Sequence, residues 1–596
     1  MDRMRTDTLV HRIAAWASEH PDDAALHDRT EGGWSELTWA DYWTAVRETA
    51  KGLIALGHQS GECVAIVGAN RSEWVIAQFG IMAARGVPAP IYVTNTPEQM
   101  AYIVTHSRSR LAFVGDAELM GRFDQALSQG LMELERVVML DPDAEGMTLA
   151  QLRELGRQSD DAELDTRLAA LTETEVALLI YTSGTTGVPK AVTLDHLGMR
   201  LCGEGLATHF PELKIHAQAY RVVSYLPLCH VAEQVFTNFM HLTTGGKVYF
   251  CPDLTQLKDY LVAVRPTVFL GVPRVWEKFQ AVLQSKLSAT GGLKGKLTSW
   301  ALQTELAAFK LECESGQAVN TLSRRIANRL VISKVKAALG LQDLRAAATG
   351  AAPIGLETLE FFASLGVVVY EGYGMSETTG IATCPRSGHP RFGTVGVALP
   401  GVEVRIAEDG EILMRGQTMT RAYLHMPEQT AELIDPQGWL HSGDLGSLDD
   451  DGNLRITGRK KDLLITAGGK NVAPIELESY IKSIVGVGQA IVVGDRQPYL
   501  CALVTLDPEA RAELEALLGV SGDLTTLASD PRVSEYLLAQ VEERCNKRVA
   551  RYQTIKKVSV LPTEFSVETG ELTPTMKLKR NVVSEKFAAE IAALYA

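Results

Sequence analysis

A chain of 596 residues with 46% hydrophobic and 22% charged residues has the composition of a soluble globular protein, and its length predicts two or more domains. A formal net charge of -14 excludes a general nucleic-acid binder, no apolar run approaches the roughly 18 residues of a membrane-spanning helix, and nothing near the first residues resembles a secretory signal. The eight cysteines form no Cys-x-x-Cys pair and no metal-ligand spacing, which predicts free thiols in a reducing, cytoplasmic setting.

In chain order, β-rich runs at 64–67, 89–93 and 111–114 alternate with helical patterns at 72–84 and 97–106, the rhythm of βαβ units. The apolar run 176–181 reads as a buried parallel strand. It leads directly into Tyr181-Thr-Ser-Gly-Thr-Thr-Gly-Val-Pro-Lys190. Gly184 and Gly187 permit close backbone approach, Thr182, Ser183, Thr185 and Thr186 supply hydroxyls, and Lys190 supplies a cation. The segment therefore reads as a polyphosphate-gripping loop at the carboxyl end of a strand, where open α/β sheets bind ligands. It is not a Walker A loop, because Val188 and Pro189 separate Gly187 from Lys190.

Further strands are expected at 222–226, 247–250, 267–270, 344–348 and 367–370, with a helical insertion at about 281–340. Within it, residues 286–336 place Lys294, Lys296, Lys310, Arg324, Arg325, Arg329 and Lys334 among apolar residues at helical spacing. Such a segment either lies on an anionic membrane surface, here the inner one, or forms a solvated helix face. From Gly393 the texture changes to short strands with Asp-Gly turns, a small β-rich subdomain ending in a hinge-like stretch near 457–462. The expected fold is α/β. A large N-terminal domain, 1–459, carries βαβ-type sheets and the β-rich subdomain, and a small mobile α+β domain spans 460–596.

Four more segments carry chemistry-bearing residues. In Glu371-Gly-Tyr-Gly-Met-Ser-Glu377-Thr-Thr, glycines on both sides of Tyr373 would bare an aromatic face, and Glu377 is a hard carboxylate suited to Mg²⁺. The same residues also fit a Gly-rich surface turn. In His441-Ser-Gly-Asp444, the Asp either accepts both hydroxyls of a ribose or closes a turn. Gly458-Arg459-Lys460-Lys461-Asp462 precedes Ala467-Gly468-Gly469-Lys470-Asn471, and Leu572-Thr-Pro-Thr-Met-Lys577-Leu-Lys-Arg580 is either functional or a solvated basic tail.

Together and in this order, these motifs resemble the adenylate-forming superfamily of acyl-CoA synthetases, luciferases and nonribosomal adenylation domains, over essentially the whole chain. Ser224-Tyr-Leu-Pro-Leu-Cys-His230-Val and Gly271-Val-Pro-Arg-Val-Trp-Glu-Lys-Phe279 are similar to the long-chain acyl-CoA synthetase branch. The insertion before Thr349-Gly-Ala-Ala-Pro353 is similar to its very-long-chain, "bubblegum"-like relatives.

The resemblance implies a two-step reaction using ATP, Mg²⁺ and coenzyme A: a fatty acid becomes an acyl-adenylate, then an acyl-CoA. It assigns the phosphate grip to Thr182, Ser183, Gly184, Thr185, Thr186, Gly187 and Lys190, and Mg²⁺ to Thr182 and Glu377. Gly350, Ala351 and Ala352 would lie along the purine, with Tyr373 stacked on it and Glu371, Gly372, Gly374, Met375, Ser376 and Thr378 lining its edge. Asp444, seconded by Arg459, would take the ribose, and Lys470 completes the nucleotide contacts. Lys577 would reach the α-phosphate during adenylation, and Lys461 would be the hinge. After rotation Ala467, Gly468 and Gly469 would admit the pantetheine arm. His230 matches the acyl-carboxylate site or is a buried core histidine. Val231 and Gly271 belong to the expected tunnel walls, 231–239 and 268–276, with Trp276 either a gate or simply core.

Two other readings share these motifs. A fatty acyl-AMP ligase would load a carrier protein instead of coenzyme A, but usually carries an insertion near the hinge, which the stretch from Lys461 to Gly468 lacks. A non-catalytic nucleotide and acyl sensor is disfavoured by intact Thr182, Glu377 and Lys577.

Overall fold

The computed structural model describes residues 7–182, 188–213, 219–288, 291–566, 569–573 and 578–596. Two parallel sheets form its larger part. One has five strands, in the order Val87–Ile91, Cys63–Val67, Leu111–Val114, Arg136–Met139 and Met147–Thr148. The other has seven, running Val369–Glu371, Ala346–Thr349, Val268–Leu270, Arg221–Ser224, Lys247–Phe250, Ala24–Thr30 and, antiparallel at the edge, Gly33–Thr38. Val64–Val67 and Leu111–Val114 are buried on both faces, as parallel strands covered by helices must be, which is why they read as continuous apolar runs. The helix Ser72–Ala83 is buried along its whole length, so its sequence is apolar all round rather than striped.

One expectation is corrected. The 176–181 run forms the strand Val176–Thr182, but it pairs antiparallel with Lys190–Asp195, in register Thr182 with Lys190. A parallel partner needs a crossover of about a dozen residues or more, and the return here comes too soon for one. The phosphate-loop motif therefore closes a hairpin. Its residues 183–187 lie outside the described residues.

The β-rich texture after Gly393 becomes a four-stranded antiparallel sheet of Val402–Ile406, Glu411–Gly416, Leu440–Leu448 and Leu454–Arg459. Beyond a 3₁₀ turn at Lys460–Asp462, the strands Val487–Val493, Leu500–Leu506 and Ile555–Leu561 pack against helices Pro474–Lys482 and Pro531–Arg544. They share a cluster of their own, including Leu477, Ile481, Val492, Val504, Leu537 and Val541.

The insertion consists of helices Pro273–Ser288, Gly292–Ser315, Leu322–Ala327 and Ser333–Ala338, with a π-helical turn at Asn328–Ile332. Gly292–Ser315 turns Ala301, Glu305, Ala308 and Phe309 inward, and Arg324 ties Glu305 and Glu312 together. On its outer side Leu293, Leu297 and Trp300, at four- and three-residue spacing, are exposed, Leu293 to 86%, as is Leu311 further along. Among the described residues, no helix is long and apolar enough to cross a membrane.

Candidate active site

The strands Val268–Leu270, Ala346–Thr349 and Val369–Glu371 end at a cavity of about 1400 Å³ that is polar at one end and apolar at the other. At the polar end, Glu377 sits in a single 3₁₀ turn, Ser376–Thr378, and is only 7% exposed. Its Oε1 accepts a hydrogen bond from the Tyr423 hydroxyl at 2.7 Å. Burial and the neighbouring carboxylate push the Tyr423 phenol up, so it remains a donor. Lys190 Nζ lies 4.8 Å from the centroid of the same ring. Thr182, whose hydroxyl donates to the Lys190 carbonyl at 3.4 Å, completes this end.

Thr349, Gly350, Ala351, Gly372, Gly374 and Met375 form the adjoining wall. The turn needs Gly374: a Cβ there would stand 2.0 Å from the Gly380 carbonyl oxygen. Behind this wall, Asp444 is clamped between Tyr373, whose hydroxyl donates to Oδ2 at 2.9 Å, and Arg459, whose Nε donates to Oδ1 at 2.7 Å. Burial opposes the charge on Arg459, but Asp444 holds its pKa above the ordinary value.

The profile of the AMP-binding enzyme matches residues 13–424, and that of the AMP-binding enzyme C-terminal domain matches 461–596. The chain belongs to the AMP-binding enzymes.

Within them it lies in the branch of the long-chain-fatty-acid–CoA ligases. It is 38% identical to the long-chain-fatty-acid–CoA ligase FadD15 of Mycobacterium bovis, covering 98% of this chain and 97% of that one. To the long-chain-fatty-acid–CoA ligase ACSBG2 of Homo sapiens it is 33% identical, over 96% of this chain and 90% of the relative. Among solved structures, it is similar in fold to the A-PCP didomain of carboxylic acid reductase from Segniliparus rugosus in complex with AMP, with TM-score 0.74 and 20% identity over 99% of this chain and 82% of that one.

Of the described residues singled out by its motifs, this AMP-binding enzyme brings only somewhat more than half to the cavity. His230 and Val231 line the cavity, and His230 Nδ1 accepts from the Ala232 amide at 3.2 Å as the cap of helix Val231–Gln234. Ser376, Arg459 and Lys461 also face it. Thr573 and Leu578, the described residues flanking Lys577, line it too, whereas Lys577 itself lies outside the described residues.

Several expected residues stand elsewhere. Tyr373 is packed into the main apolar cluster with its hydroxyl on Asp444, so its flanking glycines do not leave a bare ring. Glu371 turns toward the Gly393 amide, 3.3 Å away, and burial pushes its carboxyl up to about 7. Ala352 and Thr378 do not line the cavity, and neither does Lys470. Ala467, Gly468 and Gly469 form an exposed turn between Leu464–Ile465 and Asn471–Val472, away from the cavity in this arrangement.

Trp276 is corrected from gate to core. It is 0% exposed, packs on Phe269 and Phe362 with ring centroids 5.2 and 4.7 Å away, and donates from Nε1 to the Ala348 carbonyl at 3.2 Å. Gly271 makes room for it, since a Cβ there would lie 2.6 Å from the indole nitrogen. The strand explains the placement: Phe269 and Trp276 share one apolar cluster, while Val268 and Leu270 face the other way and line the cavity.

The apolar end is built from that face. Val268 pairs with Ala346 and Leu270 with Ala348, giving two rungs on the floor. Leu206, Phe210, Phe236 and Met240 close the other side, Phe236 from a π-helical turn at Val235–Phe239. Under the His230 segment, buried Glu233 accepts from the Leu226 amide at 3.0 Å and the Thr237 hydroxyl at 2.5 Å, and burial pushes its carboxyl up to about 7. Neither Glu233 nor Tyr423 stood out in the sequence, because each gains its meaning from a partner that no local motif names.

The donor set also bears on metal. Among the described residues, no group of three or more His, Cys, Asp or Glu could hold an ion alone. Glu377 with Thr182 instead suits Mg²⁺, which takes one or two carboxylates together with substrate phosphates and waters.

Proposed function

We propose that this enzyme activates a long-chain fatty acid with ATP to an acyl-adenylate and transfers the acyl group to coenzyme A. One observation carries the reading: a single cavity joins a phosphate-facing end at Thr182, Lys190 and Glu377 to an apolar arm along Val268–Leu270 and Ala346–Thr349. In the first step a carboxylate oxygen bonds to the α-phosphorus as the bond to pyrophosphate breaks. In the second, the CoA sulfur bonds to the acyl carbon, AMP leaves with the bonding pair, and the thiol proton goes to solvent.

An anion attacking a polyanion needs its charge screened and its line of approach held. Thr182, the 183–187 loop and Lys190 would grip the leaving phosphates, Glu377 and Thr182 would hold Mg²⁺, and Lys577 would screen the α-phosphate. When bound, the ion neutralises phosphate charge. Tyr373 and Arg459 fix Asp444 for the ribose, and His230 orients the acyl carboxylate. The boundary falls between 1–459 and 460–596. Rotation at Lys461 would exchange Lys577 for the Ala467–Gly468–Gly469 turn, whose missing side chains admit pantetheine.

The two floor rungs set a depth scale. Thr349 stands at the nucleotide end, so Ala346 lies deeper than Ala348 by two residues, or about 6–7 Å at the rise of a strand. Each methylene buried there contributes about 0.8 kcal/mol. Ala346→Phe is therefore expected to lower kcat/KM for palmitate about tenfold or more while sparing hexanoate, as measured by AMP release. An equal loss for both acids would place the chain elsewhere.

The insertion is the proposed membrane contact. Exposed Leu293, Leu297, Trp300, Leu322, Ile326 and Leu330 are interleaved with Lys294, Lys296, Arg325, Arg329 and Lys334, a basic and apolar face on an acidic protein. The enzyme is expected to sediment with phosphatidylglycerol vesicles and not with phosphatidylcholine vesicles. Replacing Lys294, Lys296, Arg325 and Arg329 together by Glu should release it; undiminished sedimentation would sink this contact.

A chain-length series of fatty acids, scored by AMP release with and without coenzyme A, tests the reading. CoA-dependent release peaking at long chains supports it. Release that needs a carrier protein points to the acyl-AMP ligase, and no release with any acid points to a sensor.

A further inference from the structure

The carboxylate of Glu411 joins two parts of the molecule that the reaction treats separately. Glu411 opens the strand Glu411–Gly416, lines the cavity and is only 5% exposed. Its Oε1 accepts from the Gly443 amide at 2.9 Å, one residue before Asp444. Its Oε2 accepts from Lys460 Nζ at 2.9 Å, and His441 Nδ1 lies 3.2 Å from the same oxygen. Lys460 is held a second time by Asp409, at 2.6 Å. Burial works against the charge on Glu411, yet Lys460, the Gly443 amide and His441 hold its pKa below the usual carboxylate range, while Asp409 and Glu411 hold the Lys460 ammonium above its ordinary value.

The ties stop abruptly along the chain. Arg459 is bound to Asp444 and Lys460 to Glu411 and Asp409, whereas Lys461, exposed at the cavity edge, has no ion pair among the described residues. Resting on the reading of residue 461 as the hinge, we propose that Glu411 is a positioning residue: it anchors Lys460 to the ribose-side loop, confines rotation to Lys461, and couples occupancy at Gly443–Asp444 to that rotation.

The two half-reactions depend on this anchor unequally. The present arrangement has other ties between the two regions, with Lys278 to Glu509 at 3.2 Å, Arg544 to Glu357 at 3.3 Å and Arg274 to Asp507 at 3.6 Å. A rotated arrangement would break these contacts and rely more on a pivot held in one place. Losing the anchor should therefore fall hardest on thioester formation.

The test separates the halves in the full-length enzyme: palmitate-dependent pyrophosphate–ATP exchange for adenylation, and single-turnover thioester formation from supplied palmitoyl-adenylate and coenzyme A. Glu411→Gln and Lys460→Met are each expected to lower the ratio of thioester rate to exchange rate about tenfold, the double variant no further than either, and Lys460→Arg to restore it. Lys460 is partly exposed, so its variants keep the fold available if Glu411→Gln does not. An unchanged ratio, an equal fall in both halves that tracks a lowered Tm, or additive losses in the double variant would each overturn the proposal. Lys461→Pro is the control for the hinge itself: if it leaves thioester formation intact, the hinge reading fails, whereas if it blocks that half and Glu411→Gln does not change the ratio, only the role of Glu411 fails.

Discussion

Glu377→Gln is expected to slow palmitate-dependent adenylation by about a hundredfold or more. The substitution keeps the size of the side chain and leaves an amide oxygen to accept the Tyr423 hydroxyl, so the 3₁₀ turn and its surroundings should survive. What disappears is the negative charge of Glu377, which lines the cavity together with Thr182 and Lys190. On the proposed reading, Mg²⁺ on the triphosphate would then lose its charged protein donor, and the leaving pyrophosphate would be less well screened. Adenylation measured across a Mg²⁺ titration should show both a lower plateau and a higher metal requirement. An unchanged Mg²⁺ dependence would remove Glu377 from the metal shell.

Lys577→Ala should divide the reaction in two. Pyrophosphate release from ATP and palmitate is expected to fall by about 10²–10³, the scale on which removal of a single transition-state donor is felt. Thioester formation from supplied palmitoyl-adenylate should stay within a few-fold of the parent, because the α-phosphate bond is already made. The nearest described residues to Lys577, Thr573 and Leu578, border the cavity, and Leu572 bridges to Leu578. A lysine suits the task as a compact charge on a long stem. Equal loss in both halves would refute the division of labour.

The strand expected at 247–250 is found at Lys247–Phe250, which buries Val248 and Phe250, and that at 111–114 at Leu111–Val114, which is buried throughout, because both are short β-rich runs. Glu377 and Lys461, singled out by separate motifs, each sit in a 3₁₀ turn that borders one cavity, and Asp444, in the strand Leu440–Leu448, lies just behind its wall. Pairing direction was not legible: an apolar run looks the same in a parallel sheet and in the Val176–Thr182 hairpin. Nor was the side of a strand that a neighbouring helix covers, which is what turns Trp276 into core. Tyr373, Tyr423 and Glu411 illustrate the same limit. Tyr423 meets Glu377 across 46 positions and Glu411 meets Lys460 across 49, and contacts at such separation leave no local pattern to read.

On the proposed reading, ATP and a long acyl carboxylate would meet in one cavity before any thiol is needed. The most direct test is exchange of labelled pyrophosphate into ATP, with palmitate present and coenzyme A absent. Exchange that requires palmitate, requires Mg²⁺ and is lost in Glu377→Gln is the predicted result. Exchange that appears only when coenzyme A is added, or that never depends on the fatty acid, would contradict it.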